Sequence, residues 1–302
     1  MTVKFNPDTD IPSLKGKVIF ITGGTAGLGS ASVTALAKHE PAHIYFSGRN
    51  TAAAEKLIAS IKKDLPEAQL TFVNLDLTSI ASVNTATQQF KHDRLDILMC
   101  NAGVMGTPPQ LSKDGWEIQF ATNHLGHAAL IKQLLPVLLK TAEAPDSDVR
   151  IVINTSEGWT MHPKKGIDFD TLNTTQDAPF GNWVRYGQSK LANVIYAREL
   201  ARRYPSIKSA AVHPGIINTG LVGNLSLGNR LFVRATTIGR MVPLEQGVLN
   251  QLYLSACMKK EDIVNGSTYY PVGKELQKLD DAATSQELAT KLWDWTEKAF
   301  QV

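Results

Sequence analysis

Short apolar, β-branched runs alternate along this chain with longer stretches in which apolar positions recur every three or four residues. Six runs, at 18–22, 43–47, 70–74, 95–100, 149–154 and 207–212, are short and mostly apolar, as strands buried on both faces are. Between them lie helix-compatible segments at 28–38, 51–65, 80–90, 116–139 and 182–203. A weaker seventh run lies at 267–270. Strand and helix in alternation predict an α/β fold, a doubly wound, mostly parallel seven-stranded sheet with helices on both faces. Thr284-Ser285-Gln286-Glu287 reads as a capping box, opening a last helix whose Leu288, Leu292, Trp295 and Phe300 form a core stripe. Without a repeat, a low-complexity tract or a linker, residues 1–302 read as one domain, and 143–148 as a surface turn.

Composition narrows the class. The chain has 302 residues, 43% hydrophobic and 20% charged, which is ordinary globular material. A net charge of +3, with no run of Lys and Arg interleaved with aromatics, argues against a nucleic-acid partner. Cys100 and Cys257 are far apart and lack Cys-x-x-Cys spacing, so they read as thiols of a reducing compartment, with no disulfide framework and no metal site. Residues 1–17 carry Pro7, Asp8, Asp10 and Pro12 where a signal peptide would be apolar, and no stretch reaches the ~18 apolar residues of a membrane span. The expectation is a cytoplasmic protein without stable membrane insertion. The sequon Asn173-Thr174-Thr175 is then a chance match. His124 and His127 have His-x-x-His spacing but no third ligand nearby, and read as core histidines.

Chemistry enters after the first strand. Thr22-Gly23-Gly24-Thr25-Ala26-Gly27-Leu28-Gly29 leads directly into the first helix, the context of a dinucleotide-binding glycine loop. Glycine permits the turn and the close approach of backbone, while the helix N-terminus offers N–H groups and positive potential to a pyrophosphate. Where an NAD enzyme would carry Asp or Glu at the end of the second strand, this chain has Ser47-Gly48-Arg49-Asn50. Arg49 can pair with a 2′-phosphate, a charged contact worth ~1.5–3 kcal/mol. The expected cofactor is NADP(H), on Gly23, Thr25, Gly27, Leu28, Gly29, Arg49 and Asn50. A glycine turn without ligand and a solvated arginine are the competing readings.

Tyr186-Gly187-Gln188-Ser189-Lys190 places a phenol and an ammonium about one helical turn apart on one face. Lowering a phenol pKa from ~10 to ~7 takes roughly 4 kcal/mol, and a unit charge ~4 Å away at an effective dielectric of ~20 supplies about that. The same spacing also occurs on solvated helix faces, so the pair gains meaning only from its neighbours.

Those neighbours resemble the short-chain dehydrogenase/reductase family over nearly the whole chain, from Gly16-Lys17-Val18 to the C-terminal helix. Residues 22–29 have the family's TGxxxGxG spacing. Asp76-Leu77 looks like its adenine contact, Asn101-Ala102-Gly103 like its NAG strand end, and Asn123 like its helix asparagine. Pro214-Gly215, with Ile217 and Thr219, looks like its nicotinamide-side loop. Asn123-His124-Leu125-Gly126-His127, the stretch from Tyr186 through Leu191-Ala192-Asn193, and Gly166-Ile167-Asp168-Phe169 are most similar to the retinol-dehydrogenase-like group. A long loop then accounts for the 30 residues between Ser156 and Tyr186. Membrane-bound retinol dehydrogenases carry an N-terminal anchor that residues 1–17 do not resemble, so retinoid is not carried over as substrate.

The resemblance implies a Rossmann fold and four catalytic residues. Tyr186 would be general acid or base toward a carbonyl or alcohol. Lys190 would lower its pKa and bind the nicotinamide ribose. Ser156 would hydrogen-bond the substrate oxygen, with Thr155 its rival. Asn123 would hold a water relaying protons from Lys190. The family's substrate lid would fall at 216–243, whose apolar content favours a lipophilic small molecule, with a membrane-gripping helix as competitor. Trp159, Met161, His162 and Trp183 either line the pocket or pack the loop, and Cys100 packs near the cofactor. The expected activity is NADP(H)-dependent reduction of a ketone or aldehyde, or the reverse. The alternatives are a non-catalytic NADP(H)-binding sensor or scaffold, which loss of Tyr186 or Lys190 would have favoured, and an epimerase, whose glycine loop is spaced differently. A homodimer or homotetramer through the helices at 116–139 and 182–204 is left open.

Overall fold

A computed structural model describes residues 3–217, 229–230, 233 and 237–301. Six strands, β1 (Val18–Ile21), β2 (His43–Gly48), β3 (Leu70–Asn74), β4 (Ile97–Cys100), β5 (Arg150–Asn154) and β6 (Lys208–Val212), are all parallel. A separate small pair follows, β7 (Ile216–Ile217) with β8 (Met241–Val242). The chain then rejoins the main sheet as β9 (Thr268–Tyr270), parallel to β6, and β10 (Lys274–Glu275), antiparallel to β9. The order is β10-β9-β6-β5-β4-β1-β2-β3, a doubly wound Rossmann sheet whose direction of winding reverses between β1 and β4. The seven expected strands are present. The eighth, two polar residues at the edge, is too short to leave a periodic signal.

Strand side chains alternate between two cores. In β1, Val18 and Phe20 join Leu98, Ile151, Leu130 and Ile195 on one face, while Ile19 and Ile21 join Val33, Leu36 and Phe46 on the other. The covering helices are α1 (Gly27–Ala37), α2 (Thr51–Asp64), α3 (Ile80–Thr87), α4 (Gly126–Ala142), α5 (Gly181–Arg203) and α6 (Gln286–Ala299). The helix expected at 116–139 is interrupted. A turn at Ile118–Phe120 leads into a π-helical turn, Ala121–Leu125, before α4 begins.

Helix α6 starts one residue later than its sequence suggests: Ser285 is the N-cap, accepting from Leu288 N at 3.0 Å, because Thr284 closes the preceding turn, Asp281–Thr284. The α6 stripe lies over α4 and α5. Trp293 stacks on Tyr196 at 5.2 Å, Trp295 meets Phe120 edge-on, and Thr296 Oγ1 lies 3.0 Å from His124 Nε2. Lys132 of α4 pairs with Glu297. No helix among the described residues is long and apolar enough to cross a membrane.

Helix α5 is seated against the 3₁₀ turn Glu157–Met161 through Gly187. A Cβ at Gly187 would lie 2.6 Å from Met161 C and 2.8 Å from His162 N, both backbone atoms. Gly187→Ala removes a mid-helix glycine, worth up to about 1 kcal/mol of helix propensity, but forces overpacking at roughly 1–3 kcal/mol. The clash wins because backbone cannot rotate aside. We expect this variant to unfold at lower urea concentration with an unchanged m value; a raised midpoint would show that the turn yields.

Candidate active site

The glycine loop leaves β1 at Thr22. Gly23 and Gly27 have φ of +67° and +54°, and a Cβ at Gly29 would stand 2.1 Å from Gly23 O. The N-cap of α1, Ala26, offers no side-chain cap, and the first turn of α1 has no acidic residue. Its free N–H groups and positive end thus remain available to an anion, so this cradle fits a dinucleotide pyrophosphate. A Cβ at Gly48 would lie 2.8 Å from Thr25 Oγ1, so the end of β2 abuts the loop. Arg49 follows it, exposed. Asn50 Oδ1 accepts from Ala53 N at 3.0 Å and caps α2.

The remaining cofactor candidates fall on adjacent strand ends. Asn101 donates from Nδ2 to Thr22 O at 2.8 Å, and Thr22 Oγ1 accepts from the backbone N of Asn101 and of Ala102. Gly103 follows, beside Asn123 and Lys190. Past β3, the Asp76 carboxylate accepts from Thr78 N and Oγ1 and pairs with Lys113 at 2.9 Å. Burial opposes its charge, but Lys113 and Thr78 together hold it below the usual carboxylate range. Leu77 is buried, with its carbonyl against Gly126. Pro214, Gly215 and Ile217 reach the same region from the end of β6; Thr219 lies outside the described residues, as does most of the expected lid at 216–243.

Ser156, Tyr186 and Lys190 line one cavity of about 600 Å³, together with Asn101, Gly103, Leu28, Pro214 and Gly215. The Ser156 side chain acts to lower the pKa of the Tyr186 phenol, and its Oγ accepts from Gly158 N at 3.1 Å. Thr155 is committed elsewhere: its Oγ1 donates to Lys190 O at 2.9 Å, fastening α5 to the end of β5. Met161 and Trp183 line the cavity, Trp159 is buried, and His162 instead meets Asp280 at 2.8 Å.

The electrostatics differ from the simple two-charge expectation. Lys190 Nζ sits 5.8 Å from the Tyr186 ring centroid and donates to Asn154 O at 3.1 Å. Burial pushes the phenol up to about 12, against the opposing influence of Ser156, and burial pushes Lys190 down to about 8. Desolvation outweighs Coulomb attraction here because both groups are out of water. Burial thus works against the acidification that Lys190 is expected to bring to Tyr186.

Asn123 lies at the centre of the π turn, a distortion that recurs at functional sites. Its Oδ1 accepts from Val104 N, and its Nδ2 donates to Val104 O and Ser189 Oγ. From the position a Gly103 Cβ would take, Asn123 Oδ1 is 3.0 Å away and Lys190 Nζ 3.4 Å. The two polar groups border one spot.

Two supports escaped the sequence reading. Asn154 accepts through its carbonyl from Lys190 and Asn193, and donates through Nδ2 to Gln251 and Asn101. Its signal is a polar residue ending an otherwise apolar strand. His127, read above as core, is buried but fully engaged. Thr22 Oγ1 already accepts twice, so it donates to His127 Nε2 at 2.8 Å, and His127 Nδ1–H donates to Asn123 O at 3.0 Å. Burial keeps this ring neutral, with a pKa lowered to about 4. It ties the glycine loop to the π turn. His124, buried against Thr296, remains a core residue. Cys100 is fully buried, its thiol pushed up by desolvation, and both cysteines are free.

Comparison with known proteins agrees with this geometry. A family model described as short chain dehydrogenase matches residues 17–161. The short-chain dehydrogenase/reductase drtF of Aspergillus calidoustus is 36% identical, over 96% of each chain. Retinol dehydrogenase 14 of Mus musculus is 34% identical, over 94% of this chain and 86% of its own. The NADPH-bound carbonyl reductase from chicken fatty liver superposes with a TM-score of 0.64 at 22% identity, over 87% of this chain and 99% of that one, a likeness of fold. The chain belongs to the short-chain dehydrogenase/reductase family of oxidoreductases, within its retinol-dehydrogenase-like group.

Proposed function

We propose that this protein is an NADP(H)-dependent reductase of a ketone or aldehyde on a lipophilic small molecule, or catalyses the matching alcohol oxidation. The observation that carries the reading is the meeting of Ser156, Tyr186 and Lys190 on one largely apolar cavity beside the glycine loop. Met105, Met161, Trp183 and Ile217 supply apolar wall for the substrate. A cytoplasmic location belongs to the same proposal, on the two free thiols.

The nicotinamide supplies the hydride. Ser156 positions the carbonyl oxygen and stabilises negative charge developing on it. Tyr186, kept protonated by burial, gives its proton to that oxygen. The phenolate left behind is stabilised by the Lys190 ammonium and the Ser156 hydroxyl, and a water held between Asn123 and Lys190 returns the proton from solvent. In the reverse direction the same groups run backwards, the phenolate serving as base. Arg49 is the proposed contact of the 2′-phosphate, and the chicken protein's bound NADPH is consistent with that preference.

Tyr186→Phe should leave NADPH affinity nearly intact while kcat falls ~10²-fold or more, the usual worth of a general acid; steady-state turnover beside a fluorescence titration of NADPH checks both, and full activity overturns the mechanism. Arg49→Ala should raise KM for NADPH roughly 10- to 100-fold, the worth of one charged contact, and leave KM for NADH unchanged. Equal kcat/KM for NADH and NADPH in the unaltered protein would remove the basis for NADP(H). With Lys190 lowered to about 8 and Tyr186 raised to about 12, Lys190 loses its charge first as pH rises. The kcat/KM for carbonyl reduction should therefore fall above about pH 8; a profile flat to pH 10 contradicts this role for the ammonium.

A further inference from the structure

The proposed mechanism leaves one polar group of the cavity without a task. His213 follows β6 and lines the same cavity as Ser156 and Tyr186. Its backbone is held on both sides: N donates to Tyr269 O at 2.9 Å, and O accepts from Asn250 Nδ2 at 2.7 Å. The ring packs edge-on against Tyr270, with centroids 4.8 Å apart. It is 5% exposed, yet Nδ1 is buried without a partner, and no hydrogen bond reaches the ring among the described residues. Such a group costs stability, and in a native structure it calls for an explanation.

Position supplies one. Asn154 is in register with Val212, and Thr155 N donates to Val212 O at 2.8 Å. His213 therefore directly follows β6, opposite Thr155, the residue before Ser156, and neighbouring strands run ~4.8 Å apart. Burial and the nearby Arg240 keep the ring neutral, so it presents one N–H and one bare nitrogen. Arg240 is already paired with Glu157 at 2.5 Å, which leaves His213 as the group in need of a partner. The surrounding wall is apolar, with Ile216, Ile217, Met161 and Trp183.

We propose that His213 is a specificity-determining residue that hydrogen-bonds a second oxygen of the substrate, a hydroxyl or carbonyl roughly one to three carbons from the reacting carbonyl, within the reach of that spacing. The favoured substrates are then lipophilic hydroxy-ketones or diones rather than plain ketones. This rests on the reductase reading above. A site built to bond a substrate oxygen discriminates against the analogue lacking it, because its own polar group is left unpaired.

The test compares 9,10-phenanthrenequinone, with two vicinal oxygens, against 9-fluorenone, with one, using NADPH and the full chain. His213→Leu should lose about tenfold in kcat/KM on the quinone, chiefly through KM, the worth of one hydrogen bond. On fluorenone its kcat/KM should change less than about twofold, the contact being absent there, and His213→Gln should recover most of the loss on the quinone. Equal losses on both probes, or no loss on either, overturn the proposal. Calorimetric binding of both probes to the NADP⁺-loaded protein separates the two claims: absence of turnover sinks the reductase reading, while equal affinity of His213→Leu and the unaltered protein for the quinone sinks the role of His213.

Discussion

The rest of the site depends on how a buried ammonium is accommodated. Lys190 is 5% exposed and, among the described residues, its Nζ hydrogen-bonds a carbonyl and no carboxylate, a placement whose desolvation cost must be met by other dipoles. The Asn154 carbonyl is the dipole supplied, and it cannot drift. Its own amide is bonded to Asn101 and Gln251, and Gln251 is anchored on Ser32 at 2.6 Å. Through this chain of amides, the end of β5 is tied to the NAG strand end and to α1. The same network that tolerates the charge thus sets the relative positions of the cofactor cradle and the Tyr186 helix.

Much of the architecture could be read in advance because it follows from periodicity. The parallel strands are almost continuous apolar runs, and the glycine loop sits at the one junction where its conformation is required. What escaped reading arises between segments distant in the chain. His127 is apolar in context, on a helix that looks like core, and only the fold brings Thr22 to its Nε2. Asn50 adds a second task that its position after a strand end does not announce: its side chain caps α2. For Tyr186 and Lys190, burial favours the neutral form of each group, a contribution that no spacing rule contains.

Polar groups around the cavity sort by whether the protein already satisfies them. Glu157 has Arg240, His162 has Asp280, and Thr155 has the α5 backbone. These contacts close the wall and hold the turn that follows Ser156. Ser156 and Tyr186 keep hydrogen-bonding capacity facing the cavity, and His213 has it unspent. Satisfied groups build the container, and unsatisfied ones describe what it holds.

The position of α6 has a consequence for how the protein comes to exist. Synthesis runs from the N-terminus, and the elements that carry the cofactor cradle emerge first. The face of α5 that receives Trp293, and the turn before α4 whose Phe120 receives Trp295, are then without this cover until α6 is made. The Tyr186 helix is therefore among the last parts of the molecule to be fully enclosed, and contacts such as His124 with Thr296 span 172 residues of sequence. Closing so long a loop is slow and exposes apolar surface meanwhile. The helix that carries Tyr186 thus gains the support of Trp293 only once α6 has been made.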